Sequence, residues 1–265
     1  MTNPNPSCCA NKSRRDHYVP QAYLRGFVHP QRHDQPKPLW VLDLNRHEWS
    51  EKSPSQIGWA RGFYDYAPGS NPDATAEDAF RRLENDVPGV RDRIRANGYQ
   101  GWTVYRDVLV EFAVMMAARS PLFRTQAVSR AHPSLTDCPT GNALAKNFSI
   151  TLMRAEMGRR PKEWQGYDWV LGYTRNPDFP FVTGDQVVGM RGNALTAEEA
   201  LRRNDFWLWC PLSWDMCLIA SSQPLDAEPT AALGPAHVAE LQTLTRQQAR
   251  AFVASPVRIS RLAAV

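Results

Sequence analysis

The chain has 265 residues, 43% of them hydrophobic and 22% charged, with a formal net charge of +4. That composition suits a folded chain with a sizeable core. It includes no apolar run near the roughly 20 residues that span a bilayer and no dense basic stripe of the kind a dedicated nucleic-acid binder carries. Only five of the 31 basic residues are lysines, so positive charge is carried mostly by arginine, whose planar fork suits phosphate or carboxylate. The five cysteines, Cys8, Cys9, Cys138, Cys210 and Cys217, contain no CxxC pair, which argues against a disulfide framework or a structural zinc site.

Residues 1–15 read as a flexible arm without an apolar h-region, so the expectation is a cytoplasmic protein with no secretory signal. Residues 16–265 read as a single α+β domain. Pro20 suits the first position of a short helix carrying Tyr23, Leu24 and Phe27, with Val19 extended before it. Leu39 to Leu44 and His47 to Lys52 form an expected hairpin turning at Asn45-Arg46. Trp59 to Tyr66 is aromatic and glycine-punctuated, which predicts irregular, half-buried backbone.

Thr75 and Asp78 resemble a capping box, and Phe80, Leu83, Val87, Val90 and Ile94 then make one helical stripe. Pro88 is expected to kink or split that helix. The strongest helical pattern spans about 103–119 and is apolar on both sides, as a central buried helix would be. A further helix is expected at 122–130 and another at 142–158, after a linker at 132–141. Beyond Pro161 the pattern changes to short β-rich runs at 167–173, 181–182, 186–190, 206–210 and 216–220. A last helix is expected at 235–253. The fold class is therefore α+β: a helical middle packed on a mostly antiparallel sheet.

Chemistry concentrates at His17-Tyr18-Val19-Pro20-Gln21-Ala22-Tyr23-Leu24-Arg25-Gly26-Phe27. A histidine at the edge of a proline-fixed element can serve as general base or metal ligand, and Arg25 can offer a fork to an anion. The competing reading makes Tyr18, Tyr23 and Phe27 anchors of the helix, with His17 satisfying a backbone carbonyl. Asp185, after Thr183-Gly184, can be a catalytic or magnesium-binding carboxylate at a sheet edge, or the cap of an Asx-type turn. Glu84 borders the apolar stripe, where it can face a site or pair with a nearby arginine such as Arg81, Arg82 or Arg91. Arg119 ends the central helix, a position that favours a cation. There is no Walker loop, GxGxxG, GxSxG or HExxH motif.

The His17 to Phe27 element resembles the signature His-x-x-Pro-Gln-x-Tyr-Leu-Arg-x-Phe of a bacterial family of unknown function. Glu84, Arg119-Ser120-Pro121 and Phe181-Val182-Thr183-Gly184-Asp185 resemble that family's later elements, in order. Gly184 departs from its usual serine and Val187 from its usual proline, so no serine hydroxyl acts at position 184. The resemblance implies site roles for His17 and Asp185 and supplies no reaction.

Three functions compete. The first is an enzyme acting on a phosphate-bearing substrate, in the form of a metal-dependent nuclease or phosphodiesterase. There His17, Glu84 and Asp185 act as catalytic or metal-binding groups, with Arg25 and Arg119 neutralising charge and a divalent metal such as magnesium as cofactor. The partner would be a nucleic acid or a phosphate-bearing small molecule, with no membrane involved. The second is a metal-independent tailoring enzyme for a small molecule or peptide, using His17 with Tyr18 or Tyr23 in an aromatic pocket. The third is a non-catalytic binding module.

Overall fold

The computed structural model describes residues 15–65, 77–131, 139–191, 207–221 and 228–264. Residues 1–14 of the arm (Cys8 and Cys9 among them), Cys138 and Thr75 lie outside the described residues, whereas Arg15 begins β1 and Asp78 lies in α2. In chain order the elements are β1 (Arg15–His17), α1 (Gln21–Leu24), β2 (Leu39–Asp43), β3 (Glu48–Lys52), β4 (Trp59–Arg61), α2 (Glu77–Ala96) and α3 (Arg106–Ala118). They continue with α4 (Pro121–Ala131), α5 (Pro139–Trp164), β5 (Asp168–Tyr173), β6 (Thr183–Gly184), β7 (Gly189–Arg191), β8 (Trp207–Ser213) and β9 (Met216–Ser221). β10 (Thr230–Ala232), α6 (Pro235–Gln248) and β11 (Phe252–Ser255) complete the set.

The architecture is α+β, with antiparallel pairing dominant. One sheet runs β10-β5-β9-β8-β7, and a second runs β3-β2-β11-β6. β1 and β4 pair separately as a two-stranded ribbon. The only parallel pair among the described strands is β10 with β5. α3 is buried along Leu109, Val110 and Phe112 to Ala118, as its all-round apolar pattern predicts. It joins one core with the α2 stripe of Phe80, Leu83, Val87, Val90 and Ile94 and with the inward residues of the first sheet, such as Leu208, Cys210 and Leu218.

The alternate residues of that sheet, including Trp209, Cys217 and Ile219, meet Val238 of α6 in a separate apolar cluster. Strict alternation along β8 and β9 thus separates two apolar faces, one under the helical middle and one under α6. A third cluster gathers Leu42, Val182 and Val253 of the second-sheet region under Ile259 and Leu262.

Several expectations shift. α2 runs on as one assigned helix through Pro88 rather than splitting. Pro20 is the N-cap of α1, in extended conformation, rather than its first helical residue. The hairpin turn is organised by Asp43, whose Oδ1 accepts from the backbone N–H of Asn45 at 2.9 Å and of Arg46 at 3.1 Å. Trp59–Arg61 is strand rather than irregular. The last helix stops at Gln248, and Phe252–Ser255 is the strand that pairs β2 with β6. The hairpin therefore belongs to the second sheet, joined through β11 to β6, and not to the sheet of β5 and β7 to β10. No helix among the described residues is long and apolar enough to cross a membrane.

Gly189 fixes the register of β7 on β8. A Cβ there would lie 2.0 Å from the indole carbons of Trp209. Gly189→Ala should therefore lower unfolding stability by about 1–3 kcal/mol, the usual cost of overpacking, with a matching drop in the urea midpoint.

Candidate functional site

Arg119 closes α3 and is 1% exposed. Its three nitrogens reach three different segments. Nε donates to the Tyr64 hydroxyl at 2.6 Å, Nη1 donates to Glu84 Oε1, and Nη2 donates to the His17 backbone oxygen at 2.5 Å. The guanidinium also lies over the rings of Phe80 and Tyr64, at 4.6 and 5.2 Å from their centroids. Burial lowers its pKa, but the Tyr64 and Glu84 oxygens outweigh burial and hold it above the ordinary value. Arg119 is thus more than a cation at a helix end: it is buried, with the Glu84 carboxylate as its partner, and it lines none of the cavities formed by described residues at β2–β3, at α1–α2 or under α6.

Tyr64 is the hub on the other side. Its backbone N–H donates to the buried carboxylate of Asp16 at 3.1 Å, and its hydroxyl donates to the His17 backbone oxygen at 3.4 Å. Burial pushes its pKa up to about 12, so it stays a phenol. Together these contacts fix β1, where His17 pairs with Trp59 of β4.

The His17 imidazole is half-buried, with Nε2 3.3 Å from the side-chain amide of Gln21. Its pKa is lowered, first by burial; a hydrogen bond with Ser55 backbone and the charge of Glu84 oppose that, while Arg119 and Arg15 reinforce it. At neutral pH the ring is neutral and keeps a basic lone pair. Glu84, on α2, is partly exposed and tethered by Arg119.

Tyr18 follows on from β1 and packs against Phe63 at 5.3 Å between ring centroids. Its pKa is raised, first by burial and then by the charge of Asp185, so the two motifs share one electrostatic environment. Tyr23 joins them directly. Its hydroxyl donates to the Pro211 backbone oxygen at 2.7 Å and lies 2.9 Å from Thr183 Oγ1, which is left to donate to it. Tyr23 is 2% exposed, so its place is in the core.

Asp185 is 4% exposed, and its Oδ1 accepts from the backbone N–H groups of Arg250, Ala251 and Phe252 at 2.9, 3.1 and 3.4 Å. Those contacts match the capping reading of Asp185, with the capped segment 65 residues away rather than local. They occupy one carboxylate oxygen.

Arg25 goes elsewhere. It lines a cavity of about 440 Å³ with Arg91, Arg95 and His33, and none of His17, Glu84, Arg119 or Asp185 lines that cavity. The structure thus gathers His17, Tyr18, Glu84 and Arg119 around Tyr64, links Asp185 to Tyr18 by charge, and sets Arg25 apart. Tyr64 and Asp16 escaped sequence reasoning because their roles depend on long-range contacts; their only local signal was placement beside aromatic or charged neighbours. Among the described residues no three His, Cys, Asp or Glu side chains converge as a metal-binding set.

An apolar groove of about 350 Å³ lies on the opposite face of the first sheet, between Trp207, Trp209 and α6. No predicted site residue lines it.

An α+β chain with a polar cluster built from its N-terminal element and a distant Thr-Gly-Asp turn defines a class by architecture rather than by reaction. Comparison with family models gives it a place: the chain belongs to the family described as protein of unknown function (DUF4238), whose model matches residues 15–256. No curated protein and no solved structure matches the chain.

Removing Arg119 would leave a carboxylate, a phenol and a carbonyl without their shared donor. Arg119→Met should cost about 3–5 kcal/mol in chemical unfolding, as loss of one partner of a buried ion pair does. His17 sets a pH dependence. Its folded pKa lies below the unfolded value of about 6.5, so between the two the unfolded chain binds the extra proton. The stabilisation from neutral His17 is complete above that unfolded value and is lost as pH falls through the folded one. His17→Gln should flatten this acid-side slope in stability measured from pH 7 downward.

Proposed function

We propose that this protein is an enzyme that acts on a phosphate-bearing substrate, with His17 as its proton acceptor. The observation that carries this reading is the state of the imidazole. It is neutral at physiological pH, partly open to solvent, held by its backbone to Arg119 and Tyr64, and close enough to Glu84 to feel its charge. Its Nε2 lone pair accepts from the Gln21 amide at 3.3 Å, a long bond that a substrate water displaces when His17 acts as general base.

The concrete form is hydrolysis of a phosphomonoester or phosphodiester. A water oxygen forms a bond to phosphorus while His17 accepts its proton, and the bond from phosphorus to the leaving oxygen breaks. The imidazolium then returns the proton to that oxygen, so charge and protons balance. Tyr18, kept protonated by burial and by Asp185, supplies a hydrogen-bond donor beside the reaction. Glu84 stabilises the imidazolium that forms. Arg119 acts as a positioning residue, since it is sealed behind His17 and Glu84.

A second reading draws on the same contacts. Asp185, Tyr23 and Arg119 devote their polar atoms to fixing backbone and neighbouring side chains, as they would in a non-catalytic binding module.

The deciding assay offers the full-length protein chromogenic phosphomonoesters and phosphodiesters, and single- and double-stranded oligonucleotides, each with magnesium, manganese or a chelator. Turnover of at least one substrate is expected. His17→Gln should lower kcat by roughly 10²–10⁴, the usual contribution of a general base, with its fold intact by circular dichroism. The acid limb of the wild-type pH–rate profile should lie below the ordinary imidazole value. Absence of turnover under every condition, or an unchanged kcat in His17→Gln, overturns the enzyme reading and leaves the binding module.

A further inference from the structure

The cavity beside α1 carries an excess of positive charge that the fold does not use up. Its walls include Arg25, Arg91 and Arg95, with His33 and Trp214 at its edge and Asp92 as its one carboxylate. The three arginines are in different states, and the difference is informative.

Arg95 is neutralised. Its Nε and Nη2 donate to the two oxygens of the buried Asp215 at 2.8 Å each, and its Nη1 donates to Asp92 at 3.1 Å. Arg91 is only partly offset, since the charges of Asp92 and Asp215 reach it without a direct ion pair. It is 5% exposed and makes no ion pair with a described carboxylate. Its Nη1 donates to the backbone oxygens of Tyr23 and Leu212 at 3.0 Å each, and its Nη2 to that of Ala22 at 3.2 Å. Neutral carbonyls satisfy its hydrogen bonds but leave its charge in place. Burial accordingly lowers its pKa to about 10. Arg25 is exposed at the mouth, and its guanidinium makes no hydrogen bond or ion pair with a described residue.

The backbone makes room for this arrangement. A Cβ on Gly26 would fall 1.9 Å from Arg91 Nη1 and 3.1 Å from the Leu212 oxygen, so a residue with a side chain would displace the guanidinium from the cavity wall. One buried cation without a direct ion pair and one exposed guanidinium therefore face the same space, whose volume suits a small ligand rather than a single ion.

The geometry points to a binding site for the terminal phosphate or pyrophosphate group of a small molecule, gripped by Arg25 and Arg91 in the cavity between α1 and α2. Phosphate is favoured over a lone carboxylate because two guanidinium groups offer more donors than one carboxylate accepts, and because paired Arg forks match several phosphate oxygens. The site deepens the proposed function by naming where the phosphate would be held, and it rests on that reading only for its link to turnover. α2 supplies the connection. Glu84 and Arg91 are seven residues apart, about 10 Å along the helix axis and on nearly the same face. A nucleotide-sized substrate would reach from one to the other.

Isothermal titration of the full-length protein with inorganic pyrophosphate reads the site without any catalysis. Saturable binding is expected, weakened about tenfold in Arg25→Ala. Arg25→Lys should fall between, because it keeps the charge and loses the fork. Arg25 is exposed, so neither variant should alter the unfolding midpoint. His17→Gln should bind pyrophosphate like the wild type, which separates failure of the proposed chemistry from failure of this site. Three results would overturn the assignment: no pyrophosphate binding, binding unchanged in Arg25→Ala, or citrate binding as tightly as pyrophosphate. An oligonucleotide without terminal phosphate that binds where pyrophosphate does not would likewise overturn it, in favour of a nucleic-acid surface.

Discussion

One face of α2 carries Glu84, Pro88, Arg91 and Arg95 at spacings of four, three and four, and the three charged members each hold a different part of the chain. Glu84 accepts from Arg119 at the end of α3, Arg91 caps the carbonyls of α1 and of β8, and Arg95 forks onto Asp215 in the β8–β9 turn. The neighbouring face is the apolar stripe that enters the core. α2 therefore locates the N-terminal element relative to both α3 and the first sheet, by directional bonds that apolar packing could not supply. Both the His17 cluster and the arginine cavity inherit their geometry from that face.

The three buried or half-buried arginines obey one rule with different outcomes. A guanidinium taken out of water needs compensating oxygens, and their charge decides its pKa. Arg119 meets a carboxylate and a phenol, and its pKa rises. Arg95 meets Asp215, whose own carboxyl is held below the usual range because the Arg95, Ser213 and Tyr99 hydrogen bonds overcome the opposing effect of burial. Arg91 has only carbonyls in direct contact, the Asp92 and Asp215 charges offset burial in part, and its pKa falls. The first two are closed circuits that fix structure. The third keeps charge to offer.

What the sequence made legible was whatever depends on local period or on apolar continuity. α3 was readable because residues 109–118 are apolar on every side, and the β2–β3 hairpin because two β-rich runs flank a short polar gap. The end of α6 was not readable. The run from Ala249 to Val253 continues an acceptable helical pattern, yet Asp185 takes the N–H groups of Arg250, Ala251 and Phe252 and turns the chain into β11. A carboxylate 65 residues upstream overrides local propensity, and no window of sequence contains that contact. β1 and β4 were missed for a related reason, since three-residue strands carry almost no period. At the candidate site, most of the motif residues lie near one another while Arg25 lies apart, and sequence could not separate roles that depend on partners. Tyr23 and Arg119 look like ligand-facing groups when read as residue types, and only their burial shows them turned inward. Arg91 looked like a surface partner for Glu84, whereas it lies two turns away beneath α1.

Asp185 and Tyr23 show why this N-terminal element and the Thr-Gly-Asp turn belong together whatever reaction they serve. Tyr23 bridges α1 to Thr183 and to β8, while Asp185 ties the same turn to β11. Loosening either motif would therefore shift both, and with them the Tyr18 phenol that lies in the field of Asp185. Arg91 stands outside that logic. Its hydrogen bonds tie α1 to β8, yet three carbonyls offset only part of the cost of burying the charge. Structure alone thus gives only part of the reason for a cation at this position. An anion entering the cavity gives a direct one, because it would neutralise the charge that burial disfavours.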